Sequence, residues 1–230
     1  SFPTRRSSDL TAATEGKLAV LMGANRSDWF GDGPGVLRMF ARLGLRMVTI
    51  GQATRELGWD ASNETRSGGR MTELGVRMIR EMNEAGILID LAHSNDPCAL
   101  DVIEVSQVPV VDSHSNPRAL VGVDRSAPDE VMRALAKRGG VLGIPPPITR
   151  PAGDAPYQGV EPAELQETVV QVQYAVDIMG IDGVGIGTHF NSAVLPWVVE
   201  ALLDASFSEQ DVGKICGGNY LRVLREVLPA

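Results

Sequence analysis

The sequence is short of several things, and each shortage removes a class of function. No apolar run reaches the roughly eighteen residues that a membrane-spanning helix needs. Basic residues are in deficit: 21 Lys and Arg against 29 Asp and Glu leave a net charge of -8. That balance argues against non-specific binding to nucleic acid or to an anionic membrane. There are two cysteines, Cys98 and Cys216, far apart and without C-x-x-C or zinc-knuckle spacing. They read as reduced, buried thiols, which favours a cytoplasmic setting. No G-x-G-x-x-G turn follows a strand. "GDGPGV" (31–36) has the wrong spacing, and "GVGIG" (183–187) lies inside a strand run, where glycine allows close packing. Nucleotide binding in a doubly wound sheet is therefore the weak alternative. Histidine is scarce as well, with three residues in 230.

What is present is the composition of a globular protein, 43% hydrophobic and 22% charged. Residues 1–10, "SFPTRRSSDL", have no period and match the in-frame translation of a sequencing-library adapter. They are set aside as an artefact, and residues 11–230 are expected to form a single barrel domain truncated at its start. Six strand-length apolar runs stand out: "KLAVLMGA" (17–24), "LRMVTIG" (45–51), "GILIDLA" (86–92), "VPVVDS" (108–113), "GVLGI" (140–144) and "GVGIG" (183–187). Continuous runs rich in Val, Ile and Leu are those of parallel strands buried on both faces. Between them lie helix-period segments that open on Pro, Asp or Ser and stop at Gly. Gly44 and Gly86 are two such stops, Asp96 is a candidate cap ahead of Pro97, and Ser208 is another cap. Strand–helix alternation predicts a parallel α/β fold, and a (β/α)8 TIM-type barrel with about six of eight units present is the preferred form.

The barrel explains the histidines. His93, His114 and His189 each follow a strand run directly, and barrel enzymes carry their chemistry at the C-terminal ends of strands. Closure would bring the three to one mouth, where neutral imidazoles suit a zinc-type metal. Asp90 and Asp112, just upstream of two of them, are candidates for orienting an imidazole or for a structural hydrogen bond. Trp29 and Trp59 lie in loops that either line a pocket or cover the mouth. Arg118 reads as a solvated surface charge. The polar stretch 55–70 reads as a mobile lid, and "IPPPIT" (144–149) as a stiff loop that ends its strand.

Taken together, "GILIDLAHSN", "VPVVDSHSNPRAL", "DRSAPDEVMRALAKRGGVLGI", "GIDGVGIGTHFN" and "GGNYLRVLREVL" resemble the membrane (renal-type) dipeptidase family, across most of residues 16–228. The resemblance implies a metal barrel whose zinc site hydrolyses dipeptides. His93 and His114 match the family's two strand-end metal ligands, and Arg125 matches the arginine that holds the substrate carboxylate. A planar guanidinium pairs bidentately with a carboxylate, which suits that role. Departures are also present. Asn25 stands where a bridging glutamate is expected, Gln52 for a substrate-binding histidine, His189 for a catalytic aspartate, and Asn191 for a further acid. Two readings follow. In one, metal on His93 and His114 activates a water, with His189 as general base or third ligand. In the other, the barrel binds a small carboxylate through Arg125 without turnover. Expected partners are a dipeptide-like small molecule and, in an oligomer, a second copy in a homodimer.

Overall fold

The computed structural model describes residues 16–17, 19–31, 33–52, 54–64, 66, 68–146, 162–188 and 192–228. All six apolar runs contain strands: β1 (Met22–Ala24), β2 (Leu45–Thr49), β3 (Leu88–Asp90), β4 (Val111–Asp112), β5 (Val141–Ile144) and β6 (Val184–Ile186). They form one sheet in sequence order, and every neighbouring pair is parallel. A doubly wound sheet must reverse its strand order at a switch point, whereas a barrel never does. The unbroken order is thus the winding of a partial (β/α)8 barrel, as the sequence predicts.

Helices follow the strands. They are α1 (Pro34–Arg42), α2 (Glu73–Ala85), α3 (Asp96–Val105), α4 (Asp129–Lys137), α5 (Pro162–Met179) and α6 (Leu195–Asp204). Two more, α7 (Glu209–Gly213) and α8 (Asn219–Val227), are joined by a π-helical turn at Lys214–Gly218. Their ends obey the local signals. The Thr72 hydroxyl accepts from Gly75 N, the Ser208 hydroxyl accepts from Asp211 N, and Gly86 closes α2 in the left-handed conformation at φ 64°. At α3 the cap is Asn95, whose side chain accepts from Cys98 N at 3.0 Å, and not the expected Asp96. Asp96 instead occupies the first turn, where its charge suits the helix dipole.

Side chains alternating along the strands divide the core in two. Ile87, Ile89, Val110 and Leu142 belong to the large cluster that includes residues of the surrounding helices. Leu88, Val111 and Val141 pack in a second cluster with Val223 and Val227 of α8. The register pairs Met47 with Leu88 and Val111 with Val141, so these side chains share a layer. Each fully buried aliphatic contributes roughly 1.5–3 kcal/mol. β1 is the exception to burial on both faces. It pairs with β2 alone among the described strands, and Met22 is 54% exposed.

Candidate metal centre

His93 and His114 emerge from the C-terminal ends of β3 and β4, neighbours in the sheet. After β3 the ladder continues for one bond, Leu91 N to Val111 O at 2.7 Å, and the chain then turns. His93 makes that turn with φ 71°, a region that few non-glycine residues enter. Its carbonyl accepts from Ser62 N at 2.7 Å, and Ser94 next to it bridges to Ala61. The 60–62 segment thus holds the histidine in its unusual conformation. On the other side, Ser115 N donates to Gly143 O at 3.0 Å. A Cβ on Gly143 or on Gly187 would run into the Ser113 carbonyl, so glycine at both positions lets β5 and β6 close against the residue before His114.

The two rings meet edge to face, with centroids 5.1 Å apart and Nε2 atoms 3.2 Å apart. The surrounding hydrogen bonds assign the His114 proton. Asp90 is buried and accepts four bonds: from Thr49 Oγ1 (2.7 Å) and Ser113 Oγ (2.7 Å) on one oxygen, and from Ser113 N (2.8 Å) and Ala92 N (3.1 Å) on the other. The single Ser113 hydroxyl proton is donated to Asp90. The Ser113 oxygen, 2.7 Å from His114 Nδ1, can then only accept, so His114 carries its proton on Nδ1. Its Nε2 lone pair faces His93. Arg125 lies against both nitrogens of His93, with Nε 3.3 Å from Nδ1 and Nη2 3.3 Å from Nε2. A donor chain runs from His114 through Ser113 to Asp90, both protons pointing the same way.

Charges in the mouth are perturbed by burial. The Asp112 carboxyl is pushed up to about 7, first by burial and then by the nearby Asp90 charge. Bonds from Ser115 Oγ (2.7 Å) and from the His114 backbone N–H oppose the rise. Burial lowers the Arg125 guanidinium, while Asp112 and Asp90 support its charge. Tyr220, reaching in from α8 to donate to Ser113 O at 3.2 Å, is raised well above its ordinary value by burial.

Of the residues singled out in the sequence, His93, His114 and Arg125 are brought together. His189 and Asn191 lie outside the described residues, as do residues 1–10 and 147–149. Asn25 is exposed just past β1, and Gln52 is half-buried past β2. Asp90 orients His114 through Ser113, a residue that sequence reasoning passed over although it directly precedes the histidine. Thr49 and Tyr220 gave no such signal.

Several expectations are corrected. Arg118 is not a solvated charge: it grips Asp96 and donates to the carbonyls of Asp124 (2.7 Å) and Ser126 (2.6 Å). A short polar loop there needs one long cation to satisfy its inward carbonyls. Described residues of the 55–70 stretch are pinned rather than lid-like. Arg55 pairs with Asp60, and Asp60 N donates to Cys98 Sγ at 3.2 Å. Trp59 is buried, while Trp29 packs on Phe30 and Phe40. Cys98 is buried, its thiol raised to about 11 chiefly by burial, but Cys216 is exposed.

A parallel sheet in sequence order with imidazoles at consecutive strand ends has the winding and the site placement of a (β/α)8 barrel. The chain matches Membrane dipeptidase (Peptidase family M19) over residues 3–229 and belongs to that family. Dipeptidase tcpJ of Claviceps purpurea is 35% identical across 92% of this chain and 52% of its own length. Human Dipeptidase 3 is 29% identical across 95% and 48%. The chain thus spans about half the length of the curated relatives it matches. Among solved structures, an amidohydrolase from Pseudomonas aeruginosa superposes with TM-score 0.82 at 27% identity, covering 95% of this chain and 75% of that one. The probable dipeptidase PvdM from the same organism gives 0.81 at 25%, covering 94% and 71%.

Family membership implies a metal ion, and the residues present can be tested for one. Two imidazole nitrogens bound at about 2.0–2.1 Å to one tetrahedral ion stand about 3.3 Å apart. The observed 3.2 Å fits a single ion shared by His93 and His114. Among the described residues no group of three or more His, Cys, Asp or Glu is arranged to hold a metal. Among the described residues the pair alone would offer two ligands to such an ion.

Proposed function

We propose that this chain is a metal-dependent dipeptidase of the zinc type, with His93 and His114 as ligands. The separation of the two Nε2 atoms carries the reading, together with the proton assignment that leaves His114 Nε2 as a lone pair. A zinc ion held there would polarise a peptide carbonyl and acidify a water. The Ser113–Asp90 pair keeps the His114 ring in its binding tautomer. With His93 Nε2 given to a metal, the ring proton would sit on Nδ1, where it opposes the Arg125 Nε–H. Arg125 would then leave the imidazole and take the carboxylate of a dipeptide in a bidentate grip. His189 acts as the third ligand or as the general base. The reading as a carboxylate binder without turnover is not favoured, since it leaves this ordered imidazole pair idle.

Metal content and dipeptide turnover of the wild type and of His114→Ala test the assignment. The wild type should hold about one zinc per chain, and the variant should lose both metal and turnover. Stoichiometric zinc missing from the wild type, or full turnover in the variant, ends it.

A further inference from the structure

Arg125 lies neither on a strand nor at a strand end but on the loop that joins β4 to α4. Its placement beside His93 therefore depends on what holds that loop. The base of the loop is tied by backbone bonds: Ala127 N donates to Asn116 O, and Arg118 N donates to Ala127 O, both at 2.9 Å. Further out, the Arg118 side chain takes over. Its Nη2 donates to Asp124 O at 2.7 Å and to Ser126 O at 2.6 Å, the carbonyls of the two residues that flank Arg125. The same guanidinium forks onto both oxygens of Asp96, in the first turn of α3.

Asp96 follows His93 closely in the chain, and the segment between them is fixed. His93 O accepts from Ser62 N at 2.7 Å, and Asn95 N donates to Asp60 O at 3.3 Å. Arg118 thus ties the backbone on either side of Arg125 to the short segment that carries His93. That common reference sets the gap between the two side chains, which meet in two nitrogen pairs at 3.3 Å. With its backbone held on both sides, Arg125 can move its guanidinium only through side-chain torsions. Order that exists before binding spares a ligand the entropic cost of imposing it.

We propose that Arg118 is a positioning residue for the carboxylate-binding arginine. By clamping residues 124–126 to Asp96 it sets the reach of Arg125 over the His93–His114 site, and with it the affinity for the carboxylate end of the substrate. The role of Arg125 rests on the dipeptidase reading; the clamp does not. A lysine at 118 would keep the charge beside Asp96, but a compact ammonium has no fork to span the carboxylate and both carbonyls.

Two measurements on Arg118→Lys test the proposal. In hydrogen exchange, the amides of Arg118, Ser126 and Ala127 should exchange roughly tenfold faster than in the wild type, while those of β3 and β4 keep their protection. In dipeptide hydrolysis by the zinc-loaded protein, KM should rise about tenfold while kcat and bound zinc change less than about twofold, because a carboxylate grip contributes equally to ground and transition states. In an Arg125→Ala background, Arg118→Lys should have no further effect on KM, whereas a residue that merely supports the fold would add its own. Asp96→Asn weakens the clamp from its other end. It should shift loop exchange and KM in the same directions, and it serves if Arg118→Lys does not fold. The proposal is overturned by unchanged loop exchange or unchanged KM in a folded variant, by zinc lost along with affinity, or by an additive effect on Arg125→Ala. A wild type without dipeptide turnover ends the dipeptidase reading and, through it, the role of Arg118; turnover combined with any of the other outcomes ends this proposal alone.

Discussion

Two carboxylates, buried Asp90 at the β3–β4 mouth and half-buried Glu56 at the β1–β2 flank, are treated in opposite ways. Asp90 accepts four hydrogen bonds, two from backbone N–H groups and two from hydroxyls. Glu56 has one oxygen satisfied by side chains and the other bare. Their positions in the sheet account for the difference. β3 and β4 have neighbours on both sides, so the end of β4 delivers the Ser113 N–H to Asp90, and the turn after β3 adds that of Ala92. The flank lies beside β1, the outermost described strand, where the loops supply side chains but no converging ladder. A carboxylate in the first setting is held rigidly by four donors. In the second, one oxygen is buried without a hydrogen-bond partner.

The largest test of that contrast is Asp90→Ala. It strands the Ser113 and Thr49 hydroxyls and two backbone donors, so a loss of about 3–5 kcal/mol in denaturant unfolding is expected. A loss below 1 kcal/mol would mean that the mouth is no better satisfied than the flank.

Next comes the pH dependence set by Asp112. Its folded value of about 7 lies above the ordinary carboxylate range, so the folded chain binds the proton more tightly than the unfolded one. Its contribution is complete below about pH 4 and is lost as pH rises to about 7, a change of a few kcal/mol at most. Chemical melts of the metal-free protein at pH 5 and 8 should show the fall, and Asp112→Asn should flatten it. An unchanged slope in that variant would place the titration elsewhere.

Smaller is Ser113→Ala. It removes the hydroxyl between Asp90 and His114 and should weaken zinc binding about 10- to 100-fold in a competition titration, with the fold intact. Affinity equal to wild type would detach Asp90 from the metal centre. The smallest effect is expected at the edge. Met22→Ala, on exposed β1, should stay within about 0.5 kcal/mol. Leu88→Ala, its counterpart in the inner layer, should cost about 2–5 kcal/mol.

Much of this molecule could be read from residue order. Continuous Val, Ile and Leu runs identify all six strands, because parallel strands covered on both faces need no polar alternation. Gly86 and Ser208 mark helix ends through local backbone chemistry. The three mouth residues His93, His114 and Arg125 were legible from their places after strand runs and from family likeness. Cys216 and Arg118 were not, since exposure depends on which surface a helix or loop finally meets. The 55–70 stretch misled for the same reason: its polarity looks like a lid, but Arg55 and Asp60 use that polarity in an ion pair that anchors it.

Sequence alone therefore determined the strand–helix alternation, the parallel class and the residue types able to bind a metal. Tertiary structure decided which nitrogen of His114 carries the proton, how close the ring comes to His93, and that one Glu56 oxygen has no hydrogen-bond partner. Those outcomes depend on strand register and loop packing between residues far apart in the chain. A shift of one residue in pairing turns every side chain to the opposite face, and no local pattern records which register wins.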